Sequence, residues 1–486
     1  MNKRFSGILM PISSLPSRGG IGTLGQEAFD FIDFLEETNQ TYWQILPLGP
    51  TSYGDSPYQT YSIYAGNPYF IDLELLKETG YLTEDELPAR DESSLIDYES
   101  LYHQRFSLLD KAFQRFSDDK ALQEFQHEEP WVLDYALFMA LKTKHQAAPW
   151  YQWDEKYKYY KTLDIETFYR HHRREVHYWI FLQLIFRDQW QRVRDYAHDK
   201  GIEIIGDIPL YVSYDSVEVW TQPELFQLKE NLEPISVAGY PPDAFSEAGQ
   251  LWGNPLYDWP VHAEENFDWW RRRLLHQQRL YDHIRLDHFI GFSNYWAIPY
   301  GDVDATRGEW KEGPGEHFFE VINREHPELQ LIAEDLGNVT EKVAALREFA
   351  GLPSMRVLQF GFDPHGDSDA LPHHYGLEII AYTGTHDNET IMGWWSHLED
   401  EVKAFAREYL HIGDDTVVEA MMRALWSSSA KTVITTVQDL LYLDNTYRIN
   451  TPNSLGNWTF RVENDYLEKI DKNFLSQLTS TYRRTP

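Results

Sequence analysis

At 486 residues, with 43 Lys+Arg against 77 Asp+Glu, the chain carries a net charge of −34, which repels phosphate backbones and argues against nucleic acid as a partner. Its 42% hydrophobic and 25% charged residues are the balance of a globular protein with a sizeable core. The absence of cysteine excludes disulfides, thiolate metal sites and a Cys nucleophile.

Read along the chain, MNKRFSGILMPIS is a first strand and not a signal peptide, because Pro11 interrupts a short apolar run and no cleavage site follows. Runs of β-type residues then recur at 5–12, 42–48, 202–209, 283–289, 331–337, 355–360, 378–384 and 432–441. Helical patterns fall between them. QEAFDFIDFLEET has apolar residues at 28, 31, 32 and 35, one face of a helix. Residues 175–199 form a second helix, and EKVAALREFA (341–350) a third, with Asn338 or Thr340 as its N-cap. Eight strands alternating with helices predict an α/β protein, a closed (β/α)8 TIM barrel; a doubly wound open sheet is the alternative.

Two gaps are too long for simple crossovers. Residues 65–165, rich in charge and aromatics, predict a mainly helical insertion. Residues 210–275, dense in Pro, Gly and Trp, predict a large loop over one end of the barrel. The whole of 1–486 is then one catalytic barrel interrupted twice. No run reaches 18 apolar residues, so no transmembrane helix and no membrane partner are expected, and the cytoplasm is the expected compartment.

The strand DHIRLDHFIGF carries charge where a buried strand should not. Alternation turns Ile284 and Leu286 toward the helices and Arg285 and Asp287 toward the barrel axis, with His288 at the exit. One such pair reads equally well as a structural ion pair. The pattern recurs, however. Asp207 ends IIGDIP, Glu334 and Asp335 end LIAED, and His386 and Asp387 follow EIIAYTG. Several carboxylates around one barrel mouth are costly to bury without a chemical purpose.

Clustered carboxylates hold a metal or cleave glycosidic bonds. His171–His172 and His373–His374 lack ligand spacing and read as surface residues, and no calcium loop occurs, so no metal site is expected. With 17 Trp and 31 Tyr, whose rings have apolar faces and polar tips, sugar chemistry fits better. It needs one ionised carboxylate to attack and one protonated to donate. Arg285 beside Asp287 would keep that acid ionised, and an apolar setting would keep Glu334 protonated. The run Gly20-x-Gly22-x-x-Gly25 follows a strand and precedes a helix, as a dinucleotide fingerprint does. The second strand ends in LPLGP without an acid for a ribose, so a glycine-rich barrel loop is the better reading. An NAD-dependent enzyme and a non-catalytic glucan-binding protein remain the rival classes.

The segments SLPSRGGIGTLG, DSPYQTYSIYAGNP, GDIPLYV, PPDAFSEAGQLWGNPLY, IRLDHFIG, IAEDLG, TGTHDNET and NTPNSLGNW occur in that order. Together they resemble glycoside hydrolase family 77, the 4-alpha-glucanotransferases (amylomaltases, disproportionating enzymes) of the α-amylase clan, from about residue 6 onward. The resemblance implies a barrel without a C-terminal β-domain. It implies Asp287 as nucleophile, Glu334 as general acid/base and Asp387 as the carboxylate that holds the 2- and 3-hydroxyls. Arg285, His288 and His386 support the cleavage subsite, Asp207 positions the sugar and Tyr58 stacks on it. The loop with Ala244, Phe245 and Trp252 covers the acceptor side, and Asn450 and Asn457 fall in the last motif. The implied substrates are malto-oligosaccharides and amylose- or glycogen-derived glucans, with no cofactor. An amylase-like hydrolase is the alternative activity. Retention implies catalytic carboxyls roughly 5–5.5 Å apart.

Overall fold

The computed structural model describes residues 3–160, 162–243, 246–337, 339–413, 416–452 and 454–486. Twelve strands are present among them, in two sheets. In chain order they are β1 (Phe5–Leu9), β2 (Tyr42–Gln44), β3 (Glu203–Ile208), β4 (Ser236–Tyr240), β5 (Gln250–Pro255) and β6 (His283–Leu286). They continue as β7 (Asn294–Pro299), β8 (Glu309–Glu312), β9 (Leu331–Ala333), β10 (Ser354–Val357), β11 (Ile379–Tyr382) and β12 (Thr432–Thr436).

Eight of them close a barrel in the order β1-β12-β11-β10-β9-β6-β3-β2, every pair parallel. These are the eight strands read from the sequence. The open-sheet alternative falls with the closure. No strand follows β12 among the described residues; the chain runs instead into the helix Lys472–Thr481. No described helix is long and apolar enough to cross a membrane.

Helices cover the outside of the barrel through their apolar stripes. Gln26–Glu37 buries Ala28, Phe31, Ile32, Phe34 and Leu35. Arg173–Asp199 buries a long face from Val176 to Ala197 ahead of β3. Glu341–Ala350 starts at Thr340, whose hydroxyl accepts from the Val343 amide, and stops at Gly351 in the left-handed region. Asn338, the other N-cap candidate, lies outside the described residues. Between β10 and β11 the connection holds only two 3-10 turns, Leu358–Gly361 and Pro372–His374.

The interior explains the polar residues in the strands. The Tyr382 hydroxyl of β11 donates to Gln44 Oε1 of β2 at 2.9 Å, although these strands are not neighbours in the sheet, so the bond crosses the barrel. The glycine-rich segment after β1 is a tight loop. A side chain at Gly22 would run into the Ile12 carbonyl oxygen, so packing accounts for that glycine.

The stretch between β2 and β3 holds the helices Tyr98–Arg115, Asp119–Glu128 and Trp131–Lys144 among others. The stretch after β3 is more regular than its Pro/Gly/Trp composition suggests. β4 and β5 pair antiparallel, and with β7 and β8 they form a second sheet in the order β5-β4-β7-β8.

Of the two adjacent acids after β9, Asp335 is structural. It is buried, accepts from Ser354 Oγ at 2.6 Å and the Met355 amide at 2.9 Å, and lies 3.2 Å from Arg347 Nε. It ties β9 to β10 at the level where Glu334 emerges. Asp335→Ala leaves two buried donors without their acceptor and the Arg347 guanidinium without its counter-charge, and is expected to destabilise the fold by about 3 kcal/mol or more, read from the urea unfolding midpoint.

Candidate active site

Strand register builds the site. Asp207 of β3 and Arg285 of β6 are paired residues on neighbouring strands. Their side chains meet inside the barrel, Arg285 Nη1 donating to Asp207 Oδ1 at 2.8 Å and Oδ2 at 2.6 Å. The same Nη1 donates to Asp287 Oδ1 at 2.9 Å. Asp287 stands one residue past the end of β6 and Glu334 one residue past the end of β9. The backbone goes on pairing beyond the strands: the Glu334 amide donates to the Leu286 carbonyl, and the Phe289 amide to that of Glu334.

His288 has φ 53°, the left-handed region that few non-glycine residues occupy. The turn aims its backbone amide at Glu334 Oε2, 2.7 Å away. The Leu336 amide donates to Oε1 at 3.1 Å. Past the end of β11, His386 Nε2 lies 3.1 Å from Asp387 Oδ2, and Asn450 Nδ2 donates to Asp387 Oδ1 at 2.5 Å.

Asp287, Glu334, Asp387, Arg285, His288, His386, Tyr58, Trp252 and Asn450 all line one cavity of about 790 Å³, within the size range of small-molecule sites. Tyr58 stacks on His386 at 5.1 Å and donates to Asp207 Oδ2 at 2.8 Å. The Trp252 ring stands edge-on to His288 at 4.8 Å.

Two of the predicted residues are not among those that line the cavity, and a third is not described. Asp207, expected to hold a sugar, has a side chain with 0% exposure, and both its oxygens are taken by Arg285 and Tyr58. It reaches the cavity only through those two. Asn457 is absent from the wall; its amide is spent on Thr451 and Ser454 within its own loop. Phe245, with Ala244, lies outside the described residues.

Sequence reasoning missed Trp458, which packs on Tyr58 at 5.7 Å and His386 at 6.0 Å, and Tyr240, whose ring is 6.1 Å from His288. Both line the cavity; Trp458 ends the segment NTPNSLGNW that carries the family resemblance, and Tyr240 directly precedes PPDAFSEAGQLWGNPLY. Arg448, donating to the Asp387 carbonyl oxygen at 2.8 Å, gave no sequence signal. Asp367, His373 and His374 are the one group of three metal-type ligands that come together among the described residues. They are exposed and not among the cavity's lining residues.

Burial and charge set the carboxyls apart. Burial pushes Asp287 up to about 6, against the pull of Arg285. The guanidinium falls short because it is shared: two of its contacts go to Asp207. Burial pushes Glu334 up to about 8, helped by the Asp287 charge. That rise from 4.5 corresponds to about 5 kcal/mol against ionisation, which the Arg285 charge and the two backbone N–H donors do not offset. Asp387 is half-buried, and His386 and Asn450 outweigh the loss of solvent and hold it down to about 2. Burial pushes His288 down to about 4, so its ring is neutral at pH 7. At neutral pH one carboxyl of the Asp287/Glu334 pair is ionised and the other holds a proton.

The profile of 4-alpha-glucanotransferases (glycoside hydrolase family 77) matches residues 10–467. The chain belongs to this family. The 4-alpha-glucanotransferase of Clostridium butyricum is 44% identical over 98% of this chain and 100% of its own length. That of Thermus thermophilus is 42% identical over 94% of this chain and 95% of its own. The amylomaltase of Streptococcus agalactiae, solved in complex with acarbose, superposes with a TM-score of 0.96 at 42% identity, covering all of both chains. The amylomaltase of Corynebacterium glutamicum, at 17% identity and a TM-score of 0.79, shares the fold.

A form with Asp287 ionised and Glu334 protonated is lost as pH falls through about 6 and as it rises through about 8. Asp207→Asn removes a charge that raises the Asp287 pKa and leaves Arg285 to Asp287 alone. The acidic limb of the kcat/KM profile is therefore expected to move below 6 in this variant, with the basic limb near 8 much less affected. An unmoved acidic limb contradicts the shared-guanidinium account.

Proposed function

We propose that the chain moves α-1,4-glucan segments between chains by a retaining double displacement, the activity named for its relatives. The observation that carries this is the meeting of Asp287 and Glu334 in one cavity with opposite protonation at neutral pH. Asp287 attacks the anomeric carbon while Glu334 protonates the leaving oxygen, and a glucanyl–Asp287 ester forms. Glu334, now ionised, takes the proton from the 4-hydroxyl of an incoming chain, which attacks the ester and restores Asp287. Asp387, held ionised by His386 and Asn450, accepts hydrogen bonds from sugar hydroxyls. Arg285 keeps the nucleophile in place, and Asp207 acts through Arg285 and Tyr58. Asn457 shapes its loop.

No cofactor is required, because one glycosidic bond replaces another. The substrates are neutral malto-oligosaccharides and longer glucans, which a net charge of −34 does not repel. One catalytic barrel spans the chain in this reading, with the segments between β2 and β3 and between β3 and β6 as its insertions, and it works in the cytoplasm.

Water, at ~55 M, competes for the ester, so the acceptor must win by orientation, for which effective molarities on the order of 10⁵ M are available. Trp252, beside His288 on the Glu334 side, supplies an apolar wall that orients the acceptor and excludes water.

Incubation with maltotriose separates the readings. Transfer yields glucose and a ladder of longer oligosaccharides, and Asp287→Asn abolishes it while glucan binding remains. Short products alone indicate a hydrolase, and no products a binding protein. In the same assay Trp252→Ala is expected to raise the ratio of hydrolysis to transfer severalfold; an unchanged ratio removes that residue from acceptor selection.

A further inference from the structure

One tryptophan outside the cavity has no role in the chemistry above. Of the 17 in the chain, sixteen are buried or half-buried; Trp310 alone is exposed, at 47%. It stands on β8, the edge strand of the second sheet, all four of whose residues are exposed. Its ring is held in place. Trp310 is paired in register with Trp296 of β7, and the two rings meet edge-on at 5.3 Å. Trp296 in turn donates its indole N–H to the Ala305 carbonyl oxygen at 2.9 Å and packs on Val237, Ile298 and Ala305. An exposed indole backed in this way is a fixed platform and not a loose side chain.

The platform is connected to the cavity. The Trp310 ring meets Tyr240 at 6.3 Å, and Tyr240, which lines the cavity, meets His288 at 6.1 Å. This line of rings leaves from the Glu334 side, since the His288 amide donates to Glu334 and Gly337, three residues on, lies next to the Tyr240 hydroxyl. A general acid protonates the oxygen between the two halves of the substrate. The leaving chain and the incoming chain therefore occupy its side of the cleavage point.

We propose that Trp310 is a distal acceptor-side subsite, on which a glucosyl ring of a long α-glucan stacks after the chain has passed Tyr240 and left the cavity. An indole face suits the apolar face of a sugar. On the same face of the strand as Trp310, two residues on, Glu312 is exposed and lies 3.0 Å from Lys342, and this charged pair offers hydrogen-bonding partners for sugar hydroxyls. The inference rests on the transfer reading and adds to it a dependence on acceptor length.

The test measures transfer from one fixed donor to glucose, maltose and maltohexaose as acceptors. Three variants are compared with the unaltered enzyme: Trp310→Ala; Trp310→Leu, which keeps an apolar contact on Trp296 without a ring; and Trp310→Phe, which restores a ring. The acceptor KM for maltohexaose is expected to rise about three- to tenfold in the Ala and Leu variants and to recover in the Phe variant. The kcat values, and the KM values for glucose and maltose, stay within about twofold. Equal losses for all three acceptors in the Leu variant, or no change for maltohexaose, overturn the subsite. An unaltered enzyme that transfers to none of the acceptors overturns the transfer reading itself.

Discussion

Arg285 is the interaction on which the site depends. It lies at 3% exposure inside the barrel, where an unpaired charge would cost many kcal/mol. Register supplies Asp207 on the next strand as its main partner, and Asp287, at the exit of its own strand, takes the remaining contact. A parallel barrel makes this arrangement natural, because side chains two residues apart point the same way and neighbouring strands stand level. The triad of charges is also a compromise. Arg285 belongs to two carboxylates, so Asp287 is held in place without being driven strongly acidic, and it is ionised at neutral pH.

The second constraint is the difference between Asp287 and Glu334, which share the cavity and titrate as a pair. Asp287 has a guanidinium against it. Glu334 feels Arg285 without a hydrogen bond to it, and its own hydrogen-bond partners are backbone amides, supplied by a left-handed turn at His288 and by Leu336. Amides orient a carboxyl without neutralising its charge, so burial prevails at Glu334 and not to the same extent at Asp287. A third carboxyl, Asp387, goes the other way because His386 and Asn450 both favour its ionised form. Three acids of ordinary intrinsic strength are thus separated by their neighbours alone, and division of labour follows from the separation.

Much of this was legible in the sequence. Periodicity finds all eight barrel strands but runs each of them past its end; after β1 and β2 the buried Met10, Ile12, Ile45 and Leu46 look like more strand. Asp287 and Glu334 stand just beyond the true ends. The second sheet was not legible. β4 and β5 are short and set among Pro, Gly and Trp, and β8 is exposed along its whole length, so no alternation marks it. The indirect role of Asp207 also escaped, since a strand-end acid looks the same in sequence whether it faces a ligand or an arginine. Asp335 beside Glu334 makes the same point: two adjacent acids, one turned to the cavity and the other to the backbone of β10.

The central claim is that Asp287 forms a covalent bond to the sugar while Glu334 manages the proton. Its most direct test uses Glu334→Gln with an α-maltosyl fluoride, whose leaving group needs no proton, followed by digestion and mass spectrometry. The account predicts a maltosyl adduct on the peptide containing Asp287, accumulating because deprotonation of the acceptor is lost. Rapid turnover without an adduct, or an adduct on a different carboxylate, would contradict it.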